Sequence, residues 1–360
     1  MSADVFALPA ATSPAGDVAE LSSLDHFLRP LAPWLDDPTL TDLCINRPGE
    51  AFVERDTGWS RDPLAFATYE WCQSLARLVA HYARQRVTAS EPLLSATLPG
   101  GQRIQIALPP ATQEGTVAIT IRRPSDMLWT LDDLYAKGVF ARTRALPQTA
   151  ESPAPPAIEQ ACGLHALLQA GDFTGFLRLA VQQRKNFLLS GATGSGKTTV
   201  SKALILEIPP DDRIVTIEDV KELSLQNQPN HVRLFYSQGG QGQAAVTPCE
   251  LLASAKRQRP DRIFVSELRT GDEVYDYLVS VNSGHPGSIT SVHADSAELA
   301  FVALAQLMKR SDAGRGMTTR EGIELAQLSV DVVVQCSRDR QRRHVSEVWY
   351  DPHARRRELR

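Results

Sequence analysis

An eight-residue run, Gly191-Ala192-Thr193-Gly194-Ser195-Gly196-Lys197-Thr198, matches the pattern Gly-x-x-x-x-Gly-Lys-Ser/Thr in full. Its glycines let the backbone curl so that successive N–H groups face phosphate oxygens. Lys197 supplies a cation for the β- and γ-phosphates of a nucleoside triphosphate, and Thr198 an oxygen ligand for Mg2+. The apolar Phe187-Leu188-Leu189 runs straight into the loop and a helical pattern follows, which is the strand–loop–helix order the motif requires. The chemistry indicated is binding of ATP with Mg2+ by residues 191 to 199, Thr199 included, with Thr198 as a metal ligand. Pattern and context together disfavour the alternative, a Gly-rich turn from strand to helix.

Hydrolysis needs carboxylates near the metal and the attacking water. Ile214-Val-Thr-Ile217 ends in Glu218-Asp219, with Glu222 just beyond, and Arg262-Ile-Phe-Val265 ends in Ser266-Glu267. In a parallel sheet the carboxyl ends of strands gather at the ligand-binding edge, so both acids are expected beside the loop. Glu267 is assigned to Mg2+ or its water shell and Glu218 to polarising the attacking water, with Lys197 as the third catalytic group. An exchange of the two glutamate roles stays open, and either acid alone is also compatible with capping or ion pairing. Gly284-His285-Pro286-Gly287 makes a turn into a short strand whose end presents His293 at the same edge. An imidazole there can donate to the γ-phosphate and report its loss.

The surrounding pattern divides in two. Residues 1–20 read as a flexible leader. Residues 21–146 read as an α+β domain, with helical spacing at Leu24, Phe27, Leu28 and Leu31 and again over Tyr69–Gln85, and with strand alternation at 42–45, 51–55, 103–108 and 117–122. Residues 147–160 form a Pro-rich linker, since prolines at 147, 153, 155 and 156 remove backbone donors and favour extended chain. From residue 161 to 360 strands alternate with helices, the mark of a largely parallel, doubly wound α/β sheet. Three helix starts there carry a threonine followed three residues later by glutamate, at Thr247, Thr270 and Thr318.

Composition sets outer limits. The 360 residues carry a net charge of -4, with 42% apolar and 22% charged residues, so the chain is an ordinary globular one and direct nucleic-acid binding is not supported. No stretch approaches the roughly 18 apolar residues needed to span a bilayer, and residues 1–20 lack a basic start followed by an apolar run. A cytoplasmic protein is expected. The five cysteines are scattered and form no Cys-x-x-Cys pair, which argues against disulfides and structural zinc. Arginines crowd the C-terminus at 338, 340, 342, 343, 355, 356, 357 and 360. They fit either a patch for acidic lipid or a partner, or a solvated hairpin tip followed by a frayed tail.

With these motifs in view, the chain resembles the secretion traffic ATPases that drive type II and type IV secretion and type IV pili. Their four nucleotide-site boxes have counterparts in order. These are the Walker A loop at 191–198, an acidic box at Thr216–Leu223, a Walker B segment at Arg257–Arg269 and a His box at Gly284–Asp295. Ser266 departs from the glycine usual before the Walker B glutamate. Asp42–Glu50, Leu98–Arg103 and Ile119–Ser125 are similar to the VirB-type branch of type IV secretion systems. The resemblance implies a RecA-like ATPase domain and arginines of the N-terminal domain, matched by Arg103 and Arg122, that close over the nucleotide. It also implies phosphate-supporting arginines, matched by Arg257 and Arg259, that act within the chain or from an adjacent subunit. Further implications are a homo-oligomer, expected as a hexamer, and partners among other type IV secretion subunits, including partner ATPases and inner-membrane components. A peripheral place at the inner-membrane face follows. The function implied is an ATP-hydrolysing motor for assembly of, or transport through, the apparatus. The alternatives are a nucleotide-gated interaction switch within it, a related pilus or type II ATPase, and a nucleic-acid translocase, which lacks a basic, aromatic-studded channel.

Overall fold

The computed structural model describes residues 23–55, 57–123, 127–146, 163–236, 246–282, 284–339 and 342–351. The described chain divides into two compact units, residues 23–123 and 127–351.

The first unit is a six-stranded antiparallel sheet with one long helix. Its elements are β1 (Leu40–Arg47), β2 (Gly49–Arg55), β3 (Gly58–Leu64), α1 (Tyr69–Tyr82), β4 (Leu93–Thr97), β5 (Arg103–Ala107) and β6 (Ala118–Arg122), in the spatial order β3-β2-β1-β6-β5-β4. Gly49, at φ +88, makes the tight reversal between β1 and β2. The Thr68 side chain caps α1 by accepting from the Trp71 N–H, and the helix buries Cys72, Leu75, Ala76, Val79 and Ala80. Those residues join Leu43, Ile45, Val53, Ile104, Ile106, Ile119 and Ile121 in a single core. Each such aliphatic side chain contributes roughly 1.5–3 kcal/mol by leaving water. The helix and four of the strands follow the sequence pattern. β3 and β4 escaped it because edge strands are half-solvated and do not alternate cleanly.

The second unit holds the P-loop. Its elements are α2 (Leu131–Ala136), β7 (Arg144–Leu146), α3 (Leu164–Gln169), α4 (Phe173–Gln182), β8 (Phe187–Ser190), α5 (Lys197–Leu206), β9 (Ile214–Glu218), β10 (His231–Phe235), α6 (Pro248–Lys256), β11 (Arg262–Val265), α7 (Gly271–Asn282), β12 (Ile289–Val292), α8 (Ala297–Met308), α9 (Thr319–Ser329), β13 (Val332–Asp339) and β14 (Arg342–Tyr350). Strands β10, β9 and β11 are parallel neighbours, and β12, β8 and β13 form a second parallel set continued by antiparallel β14 and then β7. The Leu268 N–H donates to Ser291 O at 2.9 Å and the Ser288 hydroxyl donates to Ile263 O, joining β11 to β12.

Alternate residues of each central strand face opposite cores. Phe187, Leu189, Ile214, Phe264, Val332 and Val334 pack with α2, α3, α4 and α5. Leu188, Val215, Ile217, Ile263, Val265 and Val333 pack with α6, α7, α8 and α9. Helices therefore cover both faces of the sheet, as continuous apolar strands require. Capping boxes at Thr247/Glu250 and Thr318/Glu321 start α6 and α9 as the sequence indicates.

The sequence reading ended the first domain at residue 146, but the segment before that point packs with the second unit. β7 pairs with β14, and Leu131, Leu134 and Phe140 share a core with α4 and α5. A three-residue strand carries too little pattern to reveal a partner some two hundred residues later in the chain. The expected leader at 1–20 and linker at 147–160, Cys162, Arg340 and the arginines beyond 351 lie outside the described residues. The four described cysteines are free.

Candidate active site

The P-loop is held in shape from both ends. β8 is buried along its whole length and delivers the chain to Gly191. That residue has φ +144, and a Cβ on it would lie 2.2 Å from the carbonyl oxygen of Cys336 on β13, so only glycine fits. Gly194 and Gly196 also take positive φ, at +73 and +103, conformations that other residues rarely adopt. Gly196 caps α5, whose first residue is Lys197. The free N–H groups of that first turn and the positive end of the helix dipole make the place suited to an anion. Ala192 and Thr193 are exposed on the loop's outer side and Thr199 is half-buried. Ser195 is buried, and its hydroxyl has no hydrogen-bond partner among the described residues. Lys197 Nζ donates to Gly191 O at 2.5 Å and to Ala192 O at 3.2 Å.

A chain of contacts starts at that ammonium. His293, just past the end of β12, places Nδ1 3.3 Å from Lys197 Nζ and 3.1 Å from Gly191 O. Its Nε2 lies 2.7 Å from Glu267 Oε1. Glu267 Oε2 accepts from Arg269 at 2.7 Å, and Arg269 donates again to Asp219 at 2.8 Å. The nitrogen facing a carboxylate must carry a hydrogen, so Nε2 donates to Glu267; Nδ1 accepts from Lys197 in the neutral ring and donates to Gly191 O in the protonated one. Burial works against the Arg269 charge, yet the hydrogen bond to Glu267 and the charges of Asp219 and Glu267 outweigh it and hold this guanidinium above its usual range. The three strand ends β8, β11 and β12 thus bring Lys197, Glu267 and His293 together, as expected from sequence. Arg269 and Asp219 belong to the same array but had no assigned role; the arginine's spacing two residues past Glu267 was the available signal.

Glu218 behaves differently. Its side chain is 0% exposed and its carboxylate is already satisfied. Thr216 Oγ1 donates to it at 2.7 Å, the Glu222 and Leu223 N–H groups donate at 3.0 and 3.1 Å, and Arg233 on β10 lies 3.3 Å away. The sequence reading gave this acid the task of polarising water. In the structure the carboxylate folds the 219–223 loop from inside, held by two loop amides and a guanidinium in place of solvent. The same fold puts Glu222 on a cavity of ≈ 20 Å³ that is also lined by Lys197, Thr198, Ser266 and Thr290.

The hydroxyls of Ser266 and Thr290 on that cavity are buried without a hydrogen-bond partner among the described residues. Together with Thr198 and Glu222 they form an all-oxygen donor set, the kind that Mg2+ takes. Among the described residues no group of three or more His, Cys, Asp or Glu side chains is placed to hold a metal ion.

The four expected arginines fall into two pairs. Arg103 opens β5 and Arg122 closes β6, and the two are direct cross-strand partners in the first unit. Arg122 is anchored by Asp42, with hydrogen bonds of 3.0 and 3.3 Å. Arg257 and Arg259 are both exposed and precede the amino end of β11. The P-loop follows the carboxyl end of parallel β8, so these two arginines stand at the opposite edge of the sheet.

A doubly wound sheet with this loop, flanked by an acid and a histidine on neighbouring strand ends, defines a P-loop ATPase with a RecA-like core. A family model described as "Type II/IV secretion system protein" matches residues 165–350. "Type IV secretion system protein VirB11" of Brucella suis is 45% identical over 344 residues, covering 94% of this chain and 93% of the relative. The chain belongs to the type II/IV secretion ATPases, in their VirB-type branch. The crystal structure of the VirB11 ATPase from the Brucella suis type IV secretion system, in complex with sulphate, is 44% identical with a TM-score of 0.52, covering 96% of this chain and 99% of that one. The pilus retraction motor PilT with bound ADP shares the fold at 17% identity and a TM-score of 0.58, over 91% of this chain and 86% of that one.

Proposed function

We propose that this type IV secretion ATPase hydrolyses MgATP with Glu267 orienting the attacking water and His293 sensing the γ-phosphate. The observation that carries this reading is the unbroken run of contacts from Lys197 through His293 to Glu267. Mg2+, held by Thr198 with Glu222 and Glu267 as carboxylates near its water shell, would neutralise charge on the β- and γ-phosphates. Lys197 adds its own cation to those phosphates. Arg269 aims the Glu267 carboxylate through their 2.7 Å hydrogen bond. His293 links the phosphate side of the loop to that carboxylate, so loss of the γ-phosphate changes what the imidazole bonds to. Glu218 shapes the loop that carries Asp219 and Glu222.

The working unit in this proposal is a homo-hexameric ring at the cytoplasmic face of the inner membrane, in peripheral contact with it and with other type IV secretion subunits, partner ATPases among them. Arg103 and Arg122 close over the nucleotide from the N-terminal domain, and Arg257 and Arg259 reach the site of an adjacent subunit. The exposed position of the latter pair, on the sheet edge away from their own P-loop, supports the inter-subunit role. Differential affinity of open and closed states for ATP is what allows work on a partner. Mixing Lys197→Ala subunits with Arg257→Ala/Arg259→Ala subunits should restore ATPase activity that neither has alone, because some interfaces then pair an intact loop with intact arginines. No recovery, or only monomer in sedimentation with MgATP, contradicts the ring. Secretion that persists in cells carrying Glu267→Gln would favour a nucleotide-gated switch over a motor.

A further inference from the structure

Three P-loop glycines face the β13–β14 hairpin. A Cβ on Gly191 would strike the Cys336 carbonyl at 2.2 Å; one on Gly194 would lie 3.5 Å from Arg338 Nη1; one on Gly196 would lie 3.6 Å from Arg343 Cβ. Arg343 Nε also donates to the Gly194 carbonyl at 3.1 Å. That bond secures one of the loop's positive-φ residues. The hairpin is therefore in contact with the start, the middle and the end of the phosphate-binding loop.

The two arginines are also direct cross-strand partners, Arg338 opposite Arg343. Like charges in that relation are destabilising. The next pair along the same ladder is Asp339 opposite Arg342, where opposite charges meet. Both arginines stand beside a loop built for phosphate, where each adds positive potential for an anion.

We infer that the Arg338–Arg343 pair belongs to the nucleotide site, with Arg343 as a positioning residue that braces the P-loop through Gly194 and both guanidinium groups adding positive potential for a nucleoside polyphosphate. This moves the hairpin arginines from the lipid-facing or merely solvated roles that the sequence left open. The inference rests on nucleotide binding by the P-loop, which Lys197→Ala tests separately.

The experiment is calorimetry of MgADP and MgATP binding to the full chain across a range of salt concentrations, with steady-state hydrolysis alongside. Arg343→Ala should weaken both nucleotides by about tenfold, since the lost brace does not depend on the γ-phosphate, and Arg343→Lys should recover part of that loss by keeping the charge. Arg338→Gln should weaken both by about threefold and flatten the salt dependence of affinity, as removal of one nearby cation requires. In each case KM rises by a larger factor than kcat falls. Wild-type affinity and salt slope in the double Arg338→Gln/Arg343→Gln variant, with Lys197→Ala still abolishing binding, overturns the inference while leaving the P-loop reading intact. So does a double variant that loses only its binding to phosphatidylglycerol vesicles. Both arginines are exposed, and unchanged circular dichroism identifies the variants that remain folded.

Discussion

The carboxyl ends of β9 and β11 look alike in sequence and do opposite things. Each is an apolar strand closed by a glutamate, and each delivers that glutamate to the P-loop edge of one sheet. Glu218 is sealed at 0% exposure among a threonine, two loop amides and Arg233. Glu267 keeps 17% of its side chain exposed and is tied to His293, which touches Lys197. The first acid is bound up in a loop; the second stands at the P-loop through His293. What separates them is the neighbouring strand. β9 has β10 beside it, with Arg233 pointing at the carboxylate, whereas β11 has β12, with His293 at its end. An acid at a strand terminus takes its role from the strand it lies against.

Breaking the buried acid should have the largest effect. Glu218→Ala leaves the Arg233 guanidinium and two loop amides without their acceptor, a loss on the order of 3–5 kcal/mol for a broken buried ion pair. The thermal midpoint should fall by many degrees and hydrolysis should fall with it. Glu267→Ala should leave that midpoint nearly unchanged. Equal stability losses in the two variants would erase the contrast.

Next in size is Gly191→Ala. The Cys336 carbonyl 2.2 Å from the new Cβ must move with β13, a strain of about 1–3 kcal/mol. Denaturant titration should show the destabilisation and calorimetry the loss of nucleotide. Because the frame under both acids shifts, this variant sharpens the comparison: it should impair hydrolysis and stability together, unlike Glu267→Ala.

Arg269→Gln is expected to be milder. It unties Glu267 from Asp219 while leaving His293 in place, so the rate should fall by roughly tenfold, the scale of a ~1.4 kcal/mol loss from one charge-assisted bond. Nucleotide affinity should be retained, and hydrolysis kinetics with parallel binding isotherms measure both.

The smallest effect concerns pH. Burial pushes the Cys336 thiol from 9.0 up to about 12, with Lys197 pulling weakly the other way. The folded protein keeps this proton where the unfolded chain has released it. The stability it contributes is complete below pH 9 and is lost as pH rises toward 12. Denaturant midpoints followed through that window should decline less steeply in Cys336→Ala, and the ranking of the two glutamate variants should be the same on either side of it.

Much of this was readable beforehand. The P-loop with its strand and helix, the acids at 218 and 267, His293, and the capping boxes at Thr247 and Thr318 are local patterns, and local patterns survive folding. The direction of the Glu218 carboxylate was not readable, since it depends on Arg233 from an edge strand and on backbone amides that face it only after the loop has closed. Residues 131 to 146 were placed with the wrong unit because their partners, β14 and α4, are recognisable only in three dimensions. Arg343 sat in a run of arginines whose composition suggested a solvated tip. Its contact with Gly194 follows from the β13–β14 register, which no arginine count contains.

The most direct test of the account pairs calorimetry with hydrolysis in Glu267→Gln. MgATP affinity should stay within about threefold of wild type while the rate falls by roughly 10²–10⁴, the range for loss of a group that assists proton transfer or orients the nucleophile. A Glu267→Gln protein that hydrolyses ATP at the wild-type rate, or that loses nucleotide binding in step with its rate, would contradict it.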